Sequence, residues 1–268
     1  MFVALVFGFC ILQVGGSSNV TVENENSGLS QETKSLMDKI HGICMIFAWF
    51  FFVIIAIGSA RYFKEFQTDV KPMGVRIWFW VHRTFNYIAV ILMILGLIAI
   101  FIAHEWKWSG PRPGGGAKNS SATAYHAMFG ILCCCLAFTQ PLGALIRCAP
   151  DARLRPIFNL AHRLVGIIAW VMAAVTITIA CKFFGLKHFT SPDGAVVLCA
   201  TLIAITGAIF IISEFLSTYS KIEHQEIPKY MEVERPRRIF PIQTLMFAIY
   251  ILISFGLCLA LCVMIAFK

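Results

Sequence analysis

The chain has 268 residues, of which 59% are hydrophobic and 13% are charged, with a mean hydropathy of +0.78. A soluble domain carries about 25% charged residues, and a chain this short cannot cover so much apolar surface with polar groups. The composition therefore excludes an ordinary soluble protein and indicates an integral membrane protein. The net charge of +8 does not point to nucleic acid, because the basic residues sit in short loops between apolar runs, where they set orientation in a membrane.

The N-terminal residues resemble a targeting segment. Residues 1–16, MFVALVFGFCILQVGG, are apolar but too few to span a bilayer comfortably, and small residues follow them. This pattern predicts a secretory signal peptide, with an uncleaved short helix as the alternative. Residues 17–38 are rich in Asn, Glu and Ser, which predicts a flexible extracellular segment.

Six long apolar runs follow, each bounded by charged or Gly/Pro-rich loops. About 20 apolar residues cross a bilayer, and in lipid their peptide groups must bond within the segment, so each run predicts a transmembrane helix. The prediction is an all-α membrane bundle, with five helices in 39–216, a cytoplasmic loop at 217–239 and a sixth helix in 240–268. We call the runs A to F, and they cover 39–61, 77–103, 124–147, 157–181, 194–216 and 240–266.

The distribution of basic residues predicts the orientation. More than half of the 22 Lys and Arg residues lie in or beside the A–B, C–D and E–F loops, which the positive-inside tendency places in the cytoplasm. The other face then carries the glycosylation sequons at Asn19 and Asn119, and glycosylation requires an outer or lumenal face. A cleaved signal peptide would also put the N-terminus outside.

A histidine lies at or near the start of each of the first four runs: His41, His82, His126 and His162. Because consecutive helices alternate in direction, His41 and His126 fall near the outer leaflet, and His82 and His162 fall near the inner leaflet. Each pair comes from parallel, non-adjacent helices, which face each other across a four-helix core. The sequence thus predicts two sites, one near each membrane face, each with two facing imidazoles.

Three interpretations of these pairs are open. The histidines could brace neighbouring helices by hydrogen bonds, because polar groups in a membrane usually face the bundle interior. Zinc normally needs four ligands, and no carboxylate accompanies either pair. Haem iron needs only axial ligands from the protein, so two histidines suffice, and without a CxxCH motif such a haem is the non-covalent b type.

Gly96, Arg83 and Arg163 each have two possible roles. Gly96 lies 14 residues after His82, a rise of about 21 Å, level with the outer pair. It could admit a flat macrocycle or simply allow close helix packing. Arg83 and Arg163 each follow an inner histidine, where they could bind haem propionates bidentately or anchor the helices at the inner face.

Several motifs resemble the cytochrome b561 core. They are His41-Gly42, WFWVHR at 78–83, Tyr125-His126-Ala127, QPLG at 140–143 and RCAPDARLRPIFNLAHRLVG at 147–166. The WFxVHR and RPxFNxxH pieces are similar to the animal ferric-chelate reductase branch of the stromal-cell-derived-receptor type. The resemblance covers about 39–216. Members of that branch usually carry large extracellular domains, for which residues 17–38 leave no room, so either a core-only variant or a truncated gene model is expected.

The resemblance implies a six-helix membrane protein with two b haems, one held by His41 and His126 and the other by His82 and His162. It implies electron flow from cytosolic ascorbate to an outer acceptor, either ferric iron or monodehydroascorbate. Arg61 matches a basic residue that the family has 20 positions after its first ligand. The resemblance therefore makes Arg61 a candidate for binding the cofactor, and its charge would also attract ascorbate.

The resemblance also suggests residues for the two substrates. Lys71, Arg76 and Arg153 are the nearest matches to the basic residues on the ascorbate side, and His104 matches a histidine after the second helix that would touch the acceptor. Two other functions stay open, a quinol-linked carrier acting within the membrane and a haem-free scaffold or receptor. The membrane is expected to be the plasma membrane or an endomembrane vesicle, and a homodimer is left open.

Overall fold

The computed structural model describes residues 28–64, 66–67, 69–149, 151–225 and 239–268, and all regular structure within them is helical. Six helices are long and apolar enough to cross a membrane, which confirms the all-α membrane bundle. We label them α1 (Gln31–Tyr62), α2 (Ile77–Ala103), α3 (Ala122–Leu145), α4 (Arg155–Phe183), α5 (Pro192–Gln225) and α6 (Ile239–Ala266). Short helices lie at Pro72–Gly74, Gly116–Ser120 and Gly185–His188.

Two helices extend beyond the apolar runs that predict them. α1 begins at Gln31 because the Ser30 hydroxyl accepts a hydrogen bond from the backbone N–H of Thr33 at 3.2 Å, which caps the helix. Residues 31–38, expected to be flexible, are therefore helical. α5 continues to Gln225, into the expected loop at 217–239, because no Gly or Pro interrupts residues 208–225. The predicted signal peptide and Asn19 lie outside the described residues.

The first four helices form two hairpins, α1 with α2 and α3 with α4, each packed along its length, with few contacts between the hairpins. α6 packs against α1, and α5 lies between α4 and α6. Small residues allow these approaches: a Cβ on Gly42 would lie 3.0 Å from Ile265 Cδ1, and one on Gly58 would collide with the Phe247 ring. α1 is therefore the most enclosed of the six helices.

The two hairpins touch halfway along α1. Phe47–Phe52 forms a π-helical turn, in which the wider winding disturbs the regular backbone hydrogen bonds. The indole N–H of Trp170 on α4 donates to the carbonyl of Trp49 at 3.2 Å, and the Trp170 ring lies 6.5 Å from the Phe50 ring. Since Trp49 is 8 residues after His41 and Trp170 is 8 residues after His162, this contact lies between the levels of the two histidine pairs.

Buried polar contacts join α5 to α6. The hydroxyls of Thr206 and Tyr250 are 2.9 Å apart, and the Gln243 amide donates to the carbonyl of Ser213 at 3.1 Å. Such hydrogen bonds stabilise helix pairs in lipid by about 0.6 kcal/mol each. Runs E and F, which carry no recognisable chemistry in the sequence, thus form a supporting pair that covers one side of α1.

The α2–α3 loop carries the second sequon. The Asn119 carboxamide donates to the carbonyl of Arg112 at 2.9 Å and accepts from the Arg112 backbone N–H at 3.0 Å. Glycosylation at Asn119 stays a prediction, and it would require the first of these hydrogen bonds to open.

Candidate functional site

The four histidines meet in two pairs. His41 on α1 faces His126 on α3 with ring centroids 6.2 Å apart and ring planes at 73°. His82 on α2 faces His162 on α4, also at 6.2 Å, with planes at 66°. Both pairs bridge the two hairpins, one near each end of the four-helix core. The structure therefore brings together the residues that the depth argument paired.

The spacing within each pair suits one metal ion between two imidazoles. A metal–imidazole bond is about 2 Å long, so two rings that bind one iron from opposite sides have centroids about 6 Å apart. Within the described residues, no group of three or more His, Cys, Asp or Glu side chains could hold a metal ion. The donor set therefore fits a cofactor that brings its own equatorial ligands, as haem does.

Backbone carbonyls orient three of the four rings. The Nδ1 atoms of His41, His82 and His126 lie 2.9, 2.9 and 3.0 Å from the carbonyl oxygens of Gly96, Ala56 and Thr176. A carbonyl only accepts, so each Nδ1 carries the proton and each Nε2 has a free lone pair. Metal-binding histidines are commonly held in this way.

Gly96 contributes to the outer pair through protein packing. A Cβ on Gly96 would lie 3.1 Å from Met45 Cε and 3.2 Å from Cys44 Cβ, both on α1. The glycine therefore allows α1 and α2 to approach until the Gly96 carbonyl reaches the His41 ring. The structure therefore favours the helix-packing role of Gly96 over the admission of a macrocycle.

Positive charges gather around the inner pair. Burial lowers the pKa of Lys64, and the charges of Arg163, Arg61 and Arg147 lower it further. Lys64 also lies 5.5 Å from the centre of the Trp78 ring. Lys64, Arg147 and Arg163 thus form a cationic rim, which favours an anionic ligand or substrate at this end.

Arg61 is engaged elsewhere. Its guanidinium donates to both carboxylate oxygens of Glu214 on α5, and the Tyr62 hydroxyl reaches the same carboxylate at 3.3 Å. A bidentate pair of this kind holds the arginine in a fixed geometry. Any role of Arg61 toward a haem stays a prediction, and it would operate through or in competition with Glu214.

The other predicted basic residues are spread over the inner end. Arg83 lies 5.8 Å from the centre of the Phe79 ring. Lys71, Arg76 and Arg153 are exposed, and their side chains form no hydrogen bond or ion pair with any residue that the structure describes. They are free to meet a solute, and their assignment to the donor stays a prediction.

At the opposite end, His104 lines a cavity of about 340 Å³. Three lysines, two histidines and two carboxylates contribute to its wall, so its side chains are net positive. Glu105 is paired with Lys34 at 2.7 Å and with Lys107 at 2.9 Å. The charged and imidazole groups are Lys34, Lys107, Lys187, His104, His188, Asp38 and Glu105.

Neighbouring groups shift the pKa of two side chains in this cavity, Glu105 and His188. Hydrogen bonds from Lys34 and Lys107 lower the pKa of Glu105 to about 2, so the carboxylate stays ionised. Burial lowers the pKa of His188, and nearby Lys187 and His104 lower it further against the opposing effect of Asp38. His188 is therefore neutral at pH 7.

Sequence reasoning missed several of these groups. Lys64 and Arg147 were only two of many basic residues on the predicted inner face. Lys64 lies just after the end of α1, and Arg147 lies just after the end of α3, opposite the ends that carry His41 and His126. That position could have identified both residues as neighbours of the inner pair. Nothing in the pattern joined Arg61 to Glu214, because the two residues are 153 positions apart.

Comparison with protein families supports the haem interpretation. Residues 40–185 match the model of the eukaryotic cytochrome b561 family. That range contains all four paired histidines, the larger part of α1 and the whole of α2, α3 and α4. No solved structure shows significant similarity to the chain.

Relatives with curated names agree with the family match. A putative ferric-chelate reductase 1 homolog of Drosophila melanogaster is 30% identical over 57% of this chain and 21% of its own length. Ferric-chelate reductase 1 of Homo sapiens is 29% identical over 63% of this chain and 26% of its own length. A cytochrome b561, DM13 and DOMON domain-containing protein of Arabidopsis thaliana is 27% identical over 58% of this chain and 15% of its own length. The matches thus span about a quarter or less of these relatives.

Proposed function

Because the chain belongs to the eukaryotic cytochrome b561 family, whose members bind haem b, we propose that it carries electrons across the membrane through two b haems. The donor is cytosolic ascorbate, and the acceptor is a ferric chelate or monodehydroascorbate on the outer face. The observation that supports this best is the presence of two histidine pairs with equal 6.2 Å spacing at opposite ends of the same four helices.

In this proposal, His41 and His126 hold one haem and His82 and His162 hold the other. Haem b bound at each pair would supply a centre that gains and loses one electron, and the two imidazoles of the pair would hold it. The protein contributes fixed imidazole orientations through the carbonyls of Gly96, Ala56 and Thr176. Apolar helices around both pairs exclude water and keep solutes at the two ends.

The two ends attract anions by different groups. At the inner end, Lys71, Arg76 and Arg153 are exposed and draw anionic ascorbate toward the rim formed by Lys64, Arg147 and Arg163. At the outer end, the net positive cavity beside His104 receives an anionic acceptor. Both attractions act through exposed charges, so they should weaken as salt increases.

The decisive experiment uses purified protein in liposomes with ascorbate trapped inside and a membrane-impermeant ferric chelate outside. We expect two haem equivalents per chain and reduction of the external chelate that depends on the protein. A haem-containing protein that passes no electrons across the membrane would instead be a carrier acting within it. Absence of a b-type absorption band after dithionite reduction would show a haem-free scaffold.

A second prediction concerns the outer cavity. Glu105→Gln removes a charge that is present throughout the physiological pH range and releases Lys34 and Lys107 from it. We expect the KM for an anionic ferric chelate to fall roughly two- to threefold at low salt, since an exposed charge acts only weakly through solvent. Steady-state reduction in the same liposomes measures this, with Asp151→Asn at the predicted inner face as the control. An unchanged KM, or equal effects of both variants, would place the acceptor elsewhere.

A further inference from the structure

A carboxylate of α5 lies beside the basic groups of the inner end. Arg61 is 20 residues after His41, a rise of about 30 Å along α1, which places it at the end of the core that carries the inner pair. Its guanidinium donates to both carboxylate oxygens of Glu214, with Nε 3.1 Å from Oε2. An arginine and a glutamate joined in this way carry no net charge. Glu214 therefore cancels a positive charge that α1 brings to the inner end.

Contacts with α1 and α6 hold this carboxylate in position. The Tyr62 hydroxyl lies 3.3 Å from Glu214 Oε2 and 3.2 Å from the carbonyl oxygen of Phe210, one helical turn earlier on α5. The rings of Tyr62 and Phe210 pack edge to face with centroids 5.8 Å apart. α6 fixes the same turn of α5, because the Gln243 amide donates to the carbonyl of Ser213. The fold thus presents the carboxylate to its arginine in a fixed geometry.

The pair is open to solutes and acts on the cationic rim. The exposed fractions of the Arg61 and Glu214 side chains are 36% and 47%, so a solute can reach both. Burial lowers the pKa of Lys64, and three arginines, Arg61 among them, lower it further. An anion that approaches the rim therefore also meets the Glu214 carboxylate. The repulsion grows with each negative charge that the solute carries.

We propose that Glu214 is a specificity-determining residue for the electron donor, because its carboxylate competes with the donor for Arg61 and disfavours polyanionic reductants such as phosphorylated dinucleotides. A donor with one negative charge loses little, since basic side chains outnumber the carboxylate at this end. The inference rests on the proposed function, because it concerns the donor at the inner end. It adds a residue of α5 to a site otherwise built from the first four helices and their loops.

The test follows reduction of the purified haem-loaded protein by ascorbate in a stopped-flow spectrometer. Glu214→Gln keeps the size of the side chain and removes its charge. We expect the half-saturating ascorbate concentration to fall roughly two- to fivefold at low salt, the range for partly exposed charges, with the maximal rate unchanged. The difference should disappear as salt is raised. Reduction by a neutral hydroquinone should be unaffected, whereas loss of a merely bracing contact would not depend on the charge of the donor.

Further variants and a polyanion sharpen the result. Arg61→Gln leaves the Glu214 carboxylate without its counter-ion, so the half-saturating ascorbate concentration should rise, and the double variant should return it close to the wild-type value. Inorganic tripolyphosphate should inhibit Glu214→Gln more strongly than the wild-type protein, and by a larger factor than the change for ascorbate. Asp69→Asn is the matched control, since Asp69 is exposed in the α1–α2 loop and forms no ion pair with any residue that the structure describes.

The outcomes separate this inference from the proposed function. Saturable reduction by ascorbate that is the same in the wild-type protein and in Glu214→Gln would overturn the inference and leave the function intact. Equal effects of Glu214→Gln and Asp69→Asn, or equal inhibition of the wild-type protein and Glu214→Gln by tripolyphosphate, would do the same. A wild-type protein that binds haem but is not reduced by ascorbate would overturn the proposed donor, and the inference with it.

Discussion

His82→Ala and His162→Ala are each expected to remove one of two haem equivalents and leave the other in place. The inner rings face each other at 6.2 Å across the two hairpins, so loss of either imidazole would leave the proposed inner haem with only one of the two rings that hold it. The outer pair lies beyond the Trp49–Trp170 contact and keeps its own hydrogen bonds. Haem-to-protein ratios and reduced spectra of purified variants measure the outcome.

Complementary variants make the result specific. His41→Ala and His126→Ala should remove the other equivalent, with a reduced spectrum that differs from that of the inner variants. His188→Ala removes a histidine of the outer cavity that lies near His126 but belongs to neither pair, and it should retain both haems. Retention of both haems in His82→Ala or His162→Ala would show that the pairs do not hold the cofactor.

The hydropathy pattern predicted the six helices well because lipid imposes a minimum length of apolar sequence. It placed the ends less well. Ser30 caps α1 through a single hydroxyl, and polar residues extend α5 past the apolar run. Hydropathy does not predict either feature. The start of α1 depends on a local hydrogen bond, and the extension of α5 depends on the absence of helix breakers.

The depth argument predicted which histidines lie opposite each other, and the structure places the rings of each pair 6.2 Å apart. Alternating helix direction fixes which end of the core each of them reaches, so His41 and His126 could only meet at one end. The argument says nothing about charges that depend on contacts between distant segments. The Arg61–Glu214 pair arises from packing of α1 on α5. The return of the chain between α3 and α4 places the guanidinium carbon of Arg147 6.0 Å from the centre of the Phe158 ring.

The π-helical turn at Phe47–Phe52 was also invisible in the sequence. Its residues form an uninterrupted apolar segment in the sequence. Only the structure shows that the carbonyl of Trp49 in this turn accepts a hydrogen bond from Trp170 on the neighbouring hairpin. The same limitation applies to Gly96. Its distance from His82 gave the correct level, but the choice between cofactor approach and helix packing required the positions of Met45 and Cys44.

Gly96→Leu is expected to remove the outer haem while the inner haem remains. Even the first carbon of the new side chain would lie 3.1 Å from Met45 Cε and 3.2 Å from Cys44 Cβ, so the rest of the leucine must push α1 away from α2. Overpacking of this kind costs about 1–3 kcal/mol. The displacement also separates His41 from the Gly96 carbonyl, which it contacts at 2.9 Å, and the ring loses its fixed orientation.

Gly207→Leu is the matched control, because it places the same side chain in a membrane helix where a Cβ has nothing within 4 Å. This variant should keep two haems. It should also melt at the wild-type temperature, which is measured by the loss of haem absorption on heating. In Gly96→Leu, one haem should be absent at the start and the melting temperature should be lower. If Gly96→Leu instead keeps both haems, close packing at Gly96 is not what holds His41 in position, and the hydrogen bond to its carbonyl is dispensable for the outer site.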